Sequence, residues 1–252
     1  MPVIGRAGLA SGQQGYAHPT LKEINHILNK MLEETNHTLN KLLAVENRRI
    51  FSGIYQHLFA LVGPGLSKAV LVCSANSGEG TTSVAVGLAI AAAEQRVGSV
   101  LLIDGNFHSP NICKVFGKAD HIGLGDLLAG NREASAVVQP TTIPTLSAMG
   151  MGTLPADYIQ ALKPMQFRAL LAQLAGLYRF ILVDGSPINT SPESLLYASQ
   201  VDRVLLVVHA GKTRVPVVAQ ALAKLSAAGC DRVEPLLNRR TFVIPQTIYE
   251  KL

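Results

Sequence analysis

The sequence predicts an α/β domain with a mainly parallel sheet flanked by helices, carrying a helical N-terminal extension. Three observations carry this. After Pro64 and Gly65, short β-rich apolar runs alternate with helical segments; a glycine loop stands between the first run and an apolar helix; and two of the later runs end in aspartate. At 252 residues, 48% apolar and 15% charged, the chain can bury one sizeable core with an appendage.

Taken in order, residues 1–19 hold four glycines and two prolines with few apolar anchors, and are expected to form a flexible leader. Residues 20–62 are expected to form a helical extension. Within it Leu21, Ile24, Ile27, Leu28, Met31, Leu32, Leu39, Leu42 and Leu43 recur at helical spacing, as one or two amphipathic helices that pack on their own domain or dock on a partner. The remainder, 63–252, is the α/β domain. Its strands are expected at Ala69–Cys73, Ser99–Asp104, Thr145–Ala148, Phe180–Asp184, Arg203–Val208 and Val233–Leu237. Helices are expected at Thr82–Gln95, Gly125–Leu128, Pro164–Leu177, Glu193–Ala198 and Pro216–Ala228.

Composition narrows the function classes. A formal charge of +5 and a pI near 9.2 come without any block of Lys or Arg, so a nucleic-acid partner is not expected. Cys73, Cys113 and Cys230 are odd in number and lie in or beside apolar runs, which argues against a disulfide frame or zinc site and for the reducing cytoplasm. The longest small-apolar stretch, around Val84 to Ala93, is about half of the ~20 residues a membrane span needs.

Chemistry concentrates in Ala75-Asn-Ser77-Gly78-Glu79-Gly80-Thr81-Thr82-Ser83. The spacing is that of a phosphate-binding loop, which makes this a P-loop domain of the deviant Walker kind. Gly78 and Gly80 let backbone amides turn around phosphate oxygens, and the following helix offers its positive end to the same charge. The Thr82 hydroxyl falls where such a loop supplies a magnesium ligand. Thr81 stands where the motif requires lysine. Loss of a charge-assisted contact of about 1.5–3 kcal/mol weakens nucleotide roughly 10- to 150-fold, and weakens a charge-rich transition state more. Asp104 and Asp184 close two apolar strands and should emerge beside the loop, as magnesium or proton acceptors or as simple caps of the next turn.

From about Glu46 to Leu252 the chain resembles the bacterial tyrosine kinases (BY-kinases) of capsule and exopolysaccharide export. The likeness rests on the phosphate loop, on Leu102-Ile-Asp104-Gly-Asn106-Phe-His108-Ser-Pro110 and on Asp184-Gly-Ser-Pro187. Further matches are Gly123-Leu-Gly-Asp-Leu-Leu-Ala-Gly130, Val207-Val-His-Ala-Gly-Lys-Thr-Arg214 and Leu237-Asn238-Arg-Arg240. The departures are Thr81 for lysine, Asn106 for the second aspartate and His108 for arginine; an amide at Asn106 accepts no proton as a carboxylate does. The family's ring-forming Glu-x-x-Arg-x-x-Arg helix resembles Glu46-x-x-Arg49-x-x-Ser52, with serine for the second arginine, and its tyrosine-rich tail reduces to Tyr249.

The resemblance implies a degenerate, pseudokinase-like member: a cytoplasmic regulatory or scaffold subunit of exopolysaccharide biosynthesis and export, peripheral at the inner membrane through a polysaccharide co-polymerase (a Wzz-like adaptor), and a possible homo-oligomer. It implies weakened binding of ATP or ADP with Mg2+. Catalytic candidates are Asp104 and Asp184; metal ligands are Thr82, Asp104 and Asp184; cofactor-binding candidates are Ser77, Gly78, Glu79, Gly80, Thr81, Thr82, Ser83 and Asn238, the last resembling an adenine-facing asparagine. Lys212 or Arg214 is the candidate compensating charge. Competing readings are an active tyrosine autokinase or ATPase whose missing cation comes in trans, an empty structural module, and a ParA/MinD-like ATPase. Those ATPases carry an additional early loop lysine, where this chain has Ala75-Asn-Ser77.

Overall fold

The computed structural model describes residues 45–59, 67–130, 133–154 and 163–239. The expected leader, the apolar stripe from Leu21 to Leu43, Arg240 and Tyr249 lie outside the described residues. Seven strands form one sheet: β1 (Lys68–Ser74), β2 (Val100–Gly105), β3 (Val138–Pro140), β4 (Leu146–Met149), β5 (Phe180–Gly185), β6 (Arg203–His209) and β7 (Val233–Asn238). Their spatial order is β3-β4-β2-β5-β1-β6-β7. Every neighbouring pair is parallel except β3 with β4.

Each expected strand is present to within a residue or two. β3 was not expected; its three residues end in Pro140, too short for a periodic signal and tolerable only at a sheet edge. Eight helices are described: α1 (Val45–Phe59), α2 (Thr81–Glu94), α3 (Ile112–Val115), α4 (Leu124–Leu128), α5 (Ala134–Val137), α6 (Pro164–Ala175), α7 (Glu193–Ala198) and α8 (Val215–Ala227). The four-residue α3 and α5 were also missed, since one turn shows no periodicity.

Alternation along the central strands sorts the core into two layers. Leu71, Leu101, Ile103, Ile181, Val183 and Leu206 face one side with Phe167, Leu171 and Leu174 of α6 and Leu225 of α8. Val70, Val72, Leu102, Leu182 and Val207 face the other, with α1 and α2. The second layer explains why α2 is apolar all round: Val84 through Ala93 are buried, because the helix lies between the sheet and α1. Gly87 makes that sandwich possible, since a Cβ there would fall on the Phe51 ring of α1. Farther along α1, Tyr55 and Phe59 close on Phe180, with ring centroids 5.4 and 4.6 Å away. The part of the extension from Val45 to Phe59 thus packs on its own domain.

Candidate functional site

The phosphate loop joins β1 to α2 across the carboxyl edge of the sheet. Both Gly78 (φ 79°) and Gly80 (φ 93°) take left-handed backbone, which only glycine adopts freely. Beside the loop opens a cleft of about 410 Å3, lined by Ser77, Gly78, Gly80, Thr81, Thr82 and Ser83, with Asn106, His108, Pro187 and Arg239 opposite. The candidates of the loop therefore gather at one cavity, with one exception.

Glu79 is the exception, since its side chain turns away from the cleft and leaves only its backbone to the loop. It is 3% exposed, and its Oε2 accepts the Ala75 and Asn76 N–H groups at 2.9 and 3.1 Å. The Thr213 hydroxyl donates to its other oxygen. Backbone donors that would otherwise be orphaned at the start of the loop turn this carboxylate inward, so it braces the cradle from behind. Asn238 adds a second brace: its Nδ2 donates to the Glu79 carbonyl at 2.8 Å, and its Oδ1 accepts the Arg239 N–H at 2.9 Å. Both polar ends of the expected adenine contact are thus engaged by the protein. Lys212 and Arg214 line a neighbouring hollow that shares Ser77 and Gly78 with the cleft.

Asp104 and Asp184 are direct register partners on β2 and β5, two residues past Leu102 and Leu182, and so point to the α2 side. Neither is exposed. Asp104 is largely consumed as a cap: Oδ1 accepts the Asn106 N–H at 3.2 Å, and Oδ2 those of Asn111 and Ile112 at 2.7 and 2.9 Å. Burial nevertheless raises its pKa to about 6, against the downward pull of those bonds. Both Asp184 oxygens are buried without a hydrogen-bond partner. Burial foremost, and then the Asp104 charge, push its pKa well up; the Thr82 hydroxyl opposes this from nearby, although no hydrogen bond is formed.

An orphaned buried carboxylate beside a threonine hydroxyl and a phosphate cradle fits a divalent cation. Among the described residues no cluster of three or more His, Cys, Asp or Glu forms a full cage. Magnesium does not need one, because it is commonly held by one or two carboxylates together with water and substrate phosphates.

Asn106 has been put to structural use. Its Oδ1 accepts the His108 and Ser109 N–H groups at 3.2 and 3.1 Å and the Ser186 hydroxyl at 3.0 Å, tying the β2 and β5 loops together. His108 leans on buried Glu193, with Nε2 3.3 Å from Oε1. Sequence reasoning missed the placement of Arg239 in the cleft, although the parallel order β1-β6-β7 gathers those strand ends at one edge.

No family model matches the chain. It is 25% identical over 189 residues to the putative tyrosine-protein kinase CapB of Staphylococcus aureus, covering 75% of this chain and 82% of that one. The structure matches the VpsO kinase domain with a TM-score of 0.69 and 28% identity, over 83% of this chain and 99% of that one. It also matches the septum site-determining protein MinD of Pyrococcus horikoshii, solved with Mg-ADP, with a TM-score of 0.58 and 20% identity over 73% and 76%, a likeness of fold. The chain is a homologue of bacterial tyrosine-protein kinases, as its motifs predict, built on the fold shared with MinD-type ATPases. Among the described residues no helix is long and apolar enough to cross a membrane.

Proposed function

We propose that this chain is a regulatory or scaffold subunit of exopolysaccharide synthesis and export, a degenerate tyrosine-kinase domain that keeps a weakened Mg-nucleotide site. The observation that carries this reading is the pairing of an intact cradle with a neutral Thr81 at its charge position. Gly78, Gly80, Thr81 and Ser83 would surround the phosphates, while Thr82 and Asp184 would hold the magnesium, which neutralises phosphate charge when bound. Asp104, with its carboxylate occupied by three backbone N–H groups, is poorly disposed to take a proton from a tyrosine hydroxyl. Asn106 offers an amide at the neighbouring position and cannot do so either. Binding thus survives where transfer is crippled.

The partner on this reading is a membrane polysaccharide co-polymerase that brings the chain to the inner face of the membrane. It is tested by incubating the purified chain with Mg-ATP, alone and with that partner, and probing for phosphotyrosine. None is expected. Phosphotyrosine that disappears in Asp104→Ala would instead establish an active autokinase. Lack of any rise in melting temperature with millimolar Mg-ADP or Mg-ATP would leave an empty structural module.

A further inference from the structure

We infer that Arg239, just past the end of β7, is the cation that serves bound nucleotide phosphates in place of the absent loop lysine. The inference rests on the nucleotide-site reading above and supplies the charge which that reading lacks. Arg239 lines the same cleft as Gly78, Gly80 and Thr81. Its guanidinium Nε lies 3.7 Å from where a Cβ on Gly80 would stand, next to the residue that replaces the lysine.

Arg239 is held there by construction. Its N–H donates to the Asn238 side chain, whose other end donates to the Glu79 carbonyl, so one amide staples its backbone to the phosphate loop. Its backbone is left-handed (φ 57°), a conformation that non-glycine residues seldom adopt. Thr81 contributes no charge, and among the described residues Arg239 is the one Lys or Arg that lines the cleft. Lys212 and Arg214 line a neighbouring hollow that shares Ser77 and Gly78 with the cleft but do not line the cleft itself. His108 shares the cleft but leans on Glu193. Among the described residues Arg239 makes no ion pair. A planar guanidinium with several donors suits phosphate oxygens, and a half-enclosed cleft strengthens that attraction over open water. Arriving from β7 rather than from the first turn of α2, it can neutralise a bound di- or triphosphate without occupying the lysine's own position.

The test is calorimetric titration of the full chain with ATP and with inorganic tripolyphosphate, each as its magnesium complex. Arg239→Gly removes the guanidinium while suiting the left-handed backbone; Arg239→Gln keeps the length without the charge. Both variants are expected to lose about tenfold or more in affinity for both probes. Adding Thr81→Lys to Arg239→Gly is expected to restore most of the loss. Unchanged binding of both probes by the variants would overturn the inference and leave the nucleotide site standing. A loss confined to ATP would also overturn it, assigning Arg239 to the base. Failure of the unmodified chain to bind either probe at millimolar concentration would overturn the nucleotide-site reading itself and, with it, this role.

Discussion

Replacing Asp184 by Asn should make the metal-free protein more stable, although it removes a residue of the candidate metal site. Both carboxylate oxygens are buried and unpartnered, and Asp104 stands directly across the strand pair. An unsatisfied buried polar group costs about 1–3 kcal/mol, and more when charged. The amide is polar too, so the substitution relieves only the part of that cost owed to the charge; at roughly 2–4 °C per kcal/mol for a domain of this size, each kcal/mol relieved raises the melting temperature by about 2–4 °C. The pH dependence gives an independent reading. A carboxyl whose folded pKa lies above its ordinary 3.8 binds its proton more tightly in the native state. Stability contributed by that proton is full below 3.8 and is lost as pH rises through the folded value. Wild type should therefore lose stability as pH rises from about 4, Asp104 contributing up to about 6 and Asp184 adding a loss of the same sign. Asp184→Asn should lose less. Magnesium reverses the preference: it binds the ionised carboxylate, so it should raise the wild-type melting temperature most at pH 8 and leave the variant nearly unmoved. Thermal melts at pH 5 and pH 8, with EDTA or with millimolar magnesium, measure all of this. A variant less stable than wild type at pH 8 in EDTA, or stabilised equally by magnesium, would refute the reasoning.

Two further substitutions test how the site is supported. Glu79→Ala should lower the urea midpoint by the equivalent of about 1–3 kcal/mol, because the buried Ala75 N–H loses its acceptor; an unchanged midpoint would show that the carboxylate does not brace the loop. Gly87→Ala should cost about 1–3 kcal/mol by forcing the Phe51 ring aside. In a Phe51→Ala background the same change should become neutral or stabilising by up to ~1 kcal/mol, since alanine is the better helix former; equal costs in both backgrounds would place the strain elsewhere.

The strands and the cradle were legible because burial writes them into the sequence. β1, β2, β5 and β6 are short apolar runs flanked by turn residues, and the loop glycines have a fixed spacing before an apolar helix. What stayed hidden depends on partners distant in the chain. Nothing local distinguishes a glutamate that faces a ligand from one that turns to cap its own loop; Glu79 is decided by Ala75, Asn76 and Thr213 together. The same holds for Arg239, which reads in sequence as one basic residue of a basic ending and enters the cleft only through the neighbourhood of β1, β6 and β7. Asp104 is legible in the sequence as a carboxylate near the end of β2. Its engagement with Asn111 and Ile112 followed from the one-turn α3, which leaves no periodic trace.

The burial of α2 on every side has a consequence for how this chain can change. The helix that bears the cradle is anchored from Val84 to Ala93 between the sheet and the aromatic side chains of α1, beyond the first-turn residues that line the cleft. Side chains at its half-buried tip, Thr81 and Thr82, can therefore vary in charge without loosening the post on which they stand. Ligand chemistry and architectural integrity are thus drawn from different parts of this molecule.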